Sequence, residues 1–89
     1  MKKVFIVIEK YFFTDGNTDY AAAIDNEKIV VCKNRESAND WMKRKTEMLR
    51  DIYSNSVKRV EKSKDGNSNQ IILTDGCRTV VEIIEKNLL

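Results

Sequence analysis

Asn34-Arg35-Glu36-Ser37-Ala38-Asn39-Asp40-Trp41-Met42-Lys43-Arg44-Lys45-Thr46-Glu47-Met48-Leu49-Arg50-Asp51-Ile52-Tyr53-Ser54 is the stretch around which the chain is organised. Ala38, Trp41, Met42, Met48, Leu49, Ile52 and Tyr53 recur at three- and four-residue steps, so they share one stripe of a helix. The spacing predicts a helix over Arg35 to Ser54. Lys45 interrupts the stripe, and its aliphatic stem is expected to lie along the edge with the ammonium in water. Asn34 is a good N-cap, and Glu36 places negative charge at the positive end of the helix dipole. Asp40 with Arg44 and Lys43 with Glu47 are opposite charges at i,i+4 on the other side. One amphipathic helix does not fold alone, so the rest of the chain must supply the surface beneath it.

The flanking segments read as strands. Lys3 to Phe13 is apolar on both faces. Val4, Ile6, Ile8 and Phe12 point one way, and Phe5, Val7, Tyr11 and Phe13 point the other. All three glycines follow an aspartate, at Asp15-Gly16, Asp65-Gly66 and Asp75-Gly76. Asp-Gly is a strong hairpin signal because both residues tolerate positive φ. Three hairpins are therefore expected. Asp19 to Lys33 reads as a second strand, with a bulge or break at Asp25-Asn26-Glu27. After the helix, Val57 to Ser63 reads as a short charged edge strand, a form that discourages aggregation. Asn69 to Thr74 and Cys77 to Lys86 complete a sheet expected in the order 2-1-5-4-3. The expected fold is α+β: one helix on one face of an antiparallel sheet of about five strands, in the sequence β-β-α-β-β-β.

An N-terminal Lys-Val-Phe-Ile-Val-Ile-Glu-Lys-Tyr strand precedes an Asp-Gly turn. A second strand then leads into Asn34-Arg35-Glu36-Ser37-Ala38 with an aromatic at Trp41, and a closing hairpin ends on Val80 to Leu88. In this pattern the chain resembles small uncharacterised bacterial and mobile-element proteins with one helix on an antiparallel sheet. That resemblance implies a fold and no activity.

The chain has 89 residues, which is the size of one small domain. The apolar run at Val4 to Ile8 is too short for a signal peptide, and no stretch approaches the roughly 20 residues of a membrane span. A cytoplasmic location is expected. Two cysteines, Cys32 and Cys77, are too few for a secreted disulfide scaffold and are expected as buried thiols. There is no histidine, which removes the commonest metal ligand and general base. Either cysteine would need an activating base to act as a nucleophile. Glu9, Asp15, Asp19, Asp25 and Glu27 match no calcium-loop spacing, and no phosphate-cradling glycine loop is present. No catalytic residue, metal ligand or cofactor is expected, and the protein is read as no enzyme.

Two surfaces remain. A helix about 10 Å wide covers two or three strands spaced about 4.8 Å apart, so one sheet face needs another cover. A second copy of the chain, packed sheet to sheet or sharing a sheet edge, is the simplest cover, with a hetero-partner or a twisted sheet curling over itself the alternatives. Phe5, Val7, Tyr11 and Phe13 are the expected interface residues. The first expected function is thus a protein-interaction or regulatory module, homodimeric, of unknown pathway. The second is nucleic-acid binding. Residues 33–64 carry ten Lys or Arg against five Asp or Glu, a net of +5 in a chain whose total is +2. Lys43, Arg44, Lys45, Lys58 and Arg59 are the candidate phosphate contacts. Mixed charge runs are more often solvated surface, and Tyr11-Phe12-Phe13 is more often packing than base stacking.

Overall fold

A computed structural model describes residues 2–22 and 28–88. The elements run β1 (Lys2–Thr14), β2 (Asp19–Ala21), β3 (Ile29–Cys32), α1 (Arg35–Ile52), β4 (Val57–Lys62), β5 (Ser68–Leu73) and β6 (Arg78–Leu88). They form one α+β layer pair, with α1 on a six-stranded antiparallel sheet ordered β2-β1-β6-β5-β4. The first and last strands are central. The stretch expected as one second strand is two, β2 and β3, both on the same edge of β1. The bulge or break expected at Asp25-Asn26-Glu27 lies outside the described residues.

Each Asp-Gly dipeptide turns the chain between two antiparallel strands, β1–β2, β4–β5 and β5–β6. The aspartate side chains do the same work in each turn. Asp15 Oδ1 accepts from the backbone N–H of Asn17 and Thr18, both at 2.9 Å. Asp65 and Asp75 accept from Asn67 N and Cys77 N, again at 2.9 Å. These donors hold the Asp15 carboxyl below the usual carboxylate range; Asp65 is also held low, first by the Ser63 hydroxyl and then by Asn67 N. Gly76 sits at φ 91°, a left-handed conformation that favours glycine, and a Cβ there would also crowd Thr14 Cγ2 at 3.1 Å.

The helix begins as expected, with Asn34 Oδ1 accepting from Ser37 N at 2.8 Å. It ends at Ile52, two residues early, because Tyr53 leaves helical geometry and a 3₁₀ turn follows at Ser54–Ser56. The neighbouring turn is tied to this exit by Thr74 N donating to Ser56 O at 2.8 Å. Neither expected i,i+4 ion pair closes; the Arg44 guanidinium lies over the Trp41 ring instead, 5.5 Å from its centroid.

Strand parity places the core. Val7, Ile71, Leu73, Val81 and Ile83 are buried under Ala38 and Leu49 of the helix, with Cys32 and Cys77 among them. Every one of those strand residues has the parity of Val7 across the registered pairs. β4 joins this face through a register shift between Val57 and Arg59. The extra residue, Lys58, lets Val57 and Val60 both turn inward although they are three apart, which a regular strand forbids.

The helix is rotated relative to its apolar stripe. Trp41, Met48 and Ile52 stay exposed, while Lys45 and Thr46 are buried. Thr46 Oγ1 donates to Met42 O at 2.7 Å and accepts from Asn69 Nδ2 at 3.0 Å, joining α1 to β5. The Lys45 ammonium does not reach water as expected. It meets Glu9 Oε2 of β1 at 3.4 Å, with the two side chains only 8% and 12% exposed. Lys45→Ala should lower the unfolding free energy by about 3 kcal/mol, because it leaves the Glu9 carboxylate desolvated and alone. Urea denaturation measures this, and Glu9→Ala in the same chain should recover most of the loss; a single-variant loss below ~0.5 kcal/mol would mean that water screens the pair.

Candidate interaction surface

Helix α1 claims the face of Val7, so the other face of the sheet is open. Alternation along β1 assigns Val4, Ile6, Ile8, Lys10 and Phe12 to it. Their registered neighbours bring Val31 and Ile29 from β3 and Ile84, Glu82, Val80 and Arg78 from β6. Ile6 lies between Val31 and Ile84, and Ile8 lies between Ile29 and Glu82. Val4, Ile6, Ile8 and Ile84 are half-buried, and Val31 is 64% exposed. This is one contiguous apolar patch in the middle of a sheet.

Much of the remainder is polar and bonded within the chain, beside the apolar Val80 and Ile72. Lys10 bridges to Glu82. Arg78 lies 4.5 Å over the Phe12 ring and donates to Gln70 Oε1 at 3.1 Å. Gln70 Nε2 donates to Glu61 at 3.4 Å, and Arg59 Nε donates to Glu61 at 2.6 Å. The face thus divides into an apolar part over β3 and the adjoining stretches of β1 and β6, and a more polar part over β6–β5–β4, where Arg78 Nε is buried without a hydrogen-bond partner among the described residues.

The residues expected at a partner interface are on the wrong side. Val7 is fully buried, and Phe5 and Tyr11 pack against the core under α1. Only Phe13 is exposed, at 42%, where it stacks between Tyr11 and Tyr20 with centroids 6.5 and 5.2 Å away. The two sets of β1 residues are equally apolar by sequence, and parity alone does not say which set the helix covers. The open set is Val4, Ile6, Ile8 and Phe12, joined by Ile29, Val31 and Ile84.

The expected nucleic-acid contacts do not converge. Lys45 is buried against Glu9, which removes it from any surface patch. Arg59 is held by Glu61 on the open face, while Lys43 flanks a cleft on the helix side and Arg44 covers Trp41. Lys58 is exposed at the bulge of the edge strand. Among the described residues no group of three or more acidic or thiol side chains is arranged to hold a metal ion, and no helix is long and apolar enough to cross a membrane. Cys32 and Cys77 are free, buried thiols, and burial pushes the Cys32 thiol up.

Tyr11 reports which face is covered. The Cys77 side chain and desolvation together push its phenol pKa up to about 12. An unfolded tyrosine ionises near 10, so between about pH 10 and 12 the unfolded chain sheds a proton that the native one keeps. Stability is therefore fully present below pH ~10 and falls as pH rises toward ~12. An ultraviolet titration should show one of the three tyrosines ionising late, and Tyr11→Phe should remove that phase. Three indistinguishable phenols would return Tyr11 to an exposed face.

Comparison with protein-family models, with curated proteins and with solved structures finds no match for this chain.

Proposed function

We propose that the protein is a non-enzymatic interaction module that acts as a homodimer through the open face of its sheet. The observation that carries this reading is the uncovered patch of Val4, Ile6, Ile8, Ile29, Val31 and Ile84. Among the described residues no further element lies over this patch, and contiguous apolar surface of this kind marks association sites.

A second copy fits better than an arbitrary partner for two reasons. The first is area. The molecule measures 44 × 25 × 23 Å, and β1 with β6 runs the long way. Five strand positions about 4.8 Å apart and roughly ten residues of about 3.4 Å give a face of roughly 800 Å², the share each partner contributes to a stable interface. The second is self-complementarity. In an isologous contact the apolar half meets its own copy, which is apolar. Lys10 with Glu82, Arg78 with Gln70, and Gln70 with Glu61 stay bonded within their own chain. The dispersal of Lys43, Arg44, Lys45, Lys58 and Arg59 gives a nucleic-acid reading no comparable surface.

Light scattering tests this. The wild-type chain should give twice the 10.3 kDa chain mass. Ile6→Glu places a charge at the centre of the patch, between Val31 and Ile84, and should reduce the mass to 10.3 kDa. The helix-side core is untouched, so its circular dichroism should remain native. A wild-type mass of 10.3 kDa from micromolar to millimolar concentration overturns the proposal.

A further inference from the structure

On the side opposite the open face, α1 packs on β6, β1, β3 and β5, and its flank stands away from β4. The gap is a cleft of about 360 Å³. That is the small end of the range for ligand sites, roughly 300–1,000 Å³. Three elements build it: α1 from Asn39 to Arg50, the β4 edge from Val60, and Asn69 of β5, with the β4–β5 turn at one end.

The floor is made and not incidental. Thr46 and Asn69 are more than nine-tenths buried, at 7% and 8% exposure. The Thr46 hydroxyl is committed to Met42 O, and Asn69 gives one amide hydrogen to Thr46. Asn69 Oδ1 and its second N–H have no side-chain hydrogen-bond partner among the described residues. An amide presents a donor and an acceptor side by side, the pattern that reads the edge of a nucleobase. Met42 and Val60 line the same cleft and supply apolar contact for a flat ring.

The rim has the opposite character. Lys43, Arg50 and Lys62 all line it, and none is in an ion pair among the described residues. Glu47 is the one carboxylate present, so the lining carries a net +2. Cations without partners above a neutral polar floor suit a phosphate, and a lone carboxylate beside them can accept from ribose hydroxyls. The basic excess of residues 33–64 thus gathers at this cleft, through Lys43, Arg50 and Lys62, and not along a continuous track.

The geometry points to a binding site for a nucleoside phosphate in the cleft between α1 and the β4–β5 hairpin, with the base on Asn69 between Met42 and Val60 and the phosphate at Lys43, Arg50 and Lys62. The site lies on the helix side and is independent of dimerisation, so the Ile6→Glu chain should bind as the wild type does.

An amide-resolved NMR titration of the whole chain with ADP, GDP, adenosine and inorganic phosphate tests it. ADP or GDP should shift Met42, Thr46, Val60 and Asn69 saturably. Adenosine and inorganic phosphate should each bind at least about tenfold more weakly, since each uses half the site. Lys43→Ala with Lys62→Ala, both exposed in the native fold, should weaken the nucleotide about tenfold and leave the melting temperature unchanged. Non-saturating shifts scattered over exposed lysines overturn the site. Inorganic phosphate binding as tightly as ADP and GDP overturns the assignment to a nucleoside.

Discussion

A helix about 10 Å across spans two or three strands, and this sheet has six. That mismatch of widths governs the molecule. The helix sits over the central pair β1 and β6 and reaches β3 and β5, and beyond its flank it leaves a cleft against β4. Among the described residues no element covers the reverse face. Both proposed surfaces are consequences of where one helix was placed on a sheet wider than itself.

The placement depends on polar contacts as much as on apolar ones. An apolar stripe running from Met48 through Leu49 to Met42 tolerates some rotation about the helix axis. Lys45 meeting Glu9 on one side and Thr46 meeting Asn69 on the other remove that freedom. Rotation toward Trp41, Met48 and Ile52 would pull both pairs apart and leave Glu9 and Asn69 unpartnered in a low-dielectric contact, which costs more than the apolar area gained. The exposed Trp41, Met48 and Ile52 are the consequence. The same two contacts separate the surfaces: Asn69 with Thr46 floors the cleft, and Glu9 fixes the odd-numbered residues of β1 beneath the helix, leaving Ile6 and Ile8 outside.

Much of the fold was legible from the residues. Asn34 marked the helix start, three Asp-Gly pairs marked three hairpins, and the two strands apolar on both faces proved central. The face of the sheet was not legible, because Phe5-Val7-Tyr11 and Val4-Ile6-Ile8 are equally apolar and the pleat has no preferred side. A signal was nonetheless present. Lys45 in an apolar stripe needs an acid, and Glu9 is the acid of β1 that shares parity with Val7. Joining them would have assigned that face to the helix. Val57 and Val60 carried a similar signal: two apolar residues three apart on one strand require a bulge between them. The basic residues misled because a charge count ignores where side chains end. Lys45 went into the core and Arg59 to the reverse face, while Lys43 stayed on the helix side.

The claim that the reverse face of the sheet is covered by a second copy is tested most directly by isotope-filtered NOE measurement on a mixture of labelled and unlabelled chains. The account predicts intermolecular contacts among the methyl groups of Ile6, Val31 and Ile84. Their absence, or contacts arising from Trp41, Met48 and Ile52 on the helix flank, would contradict it.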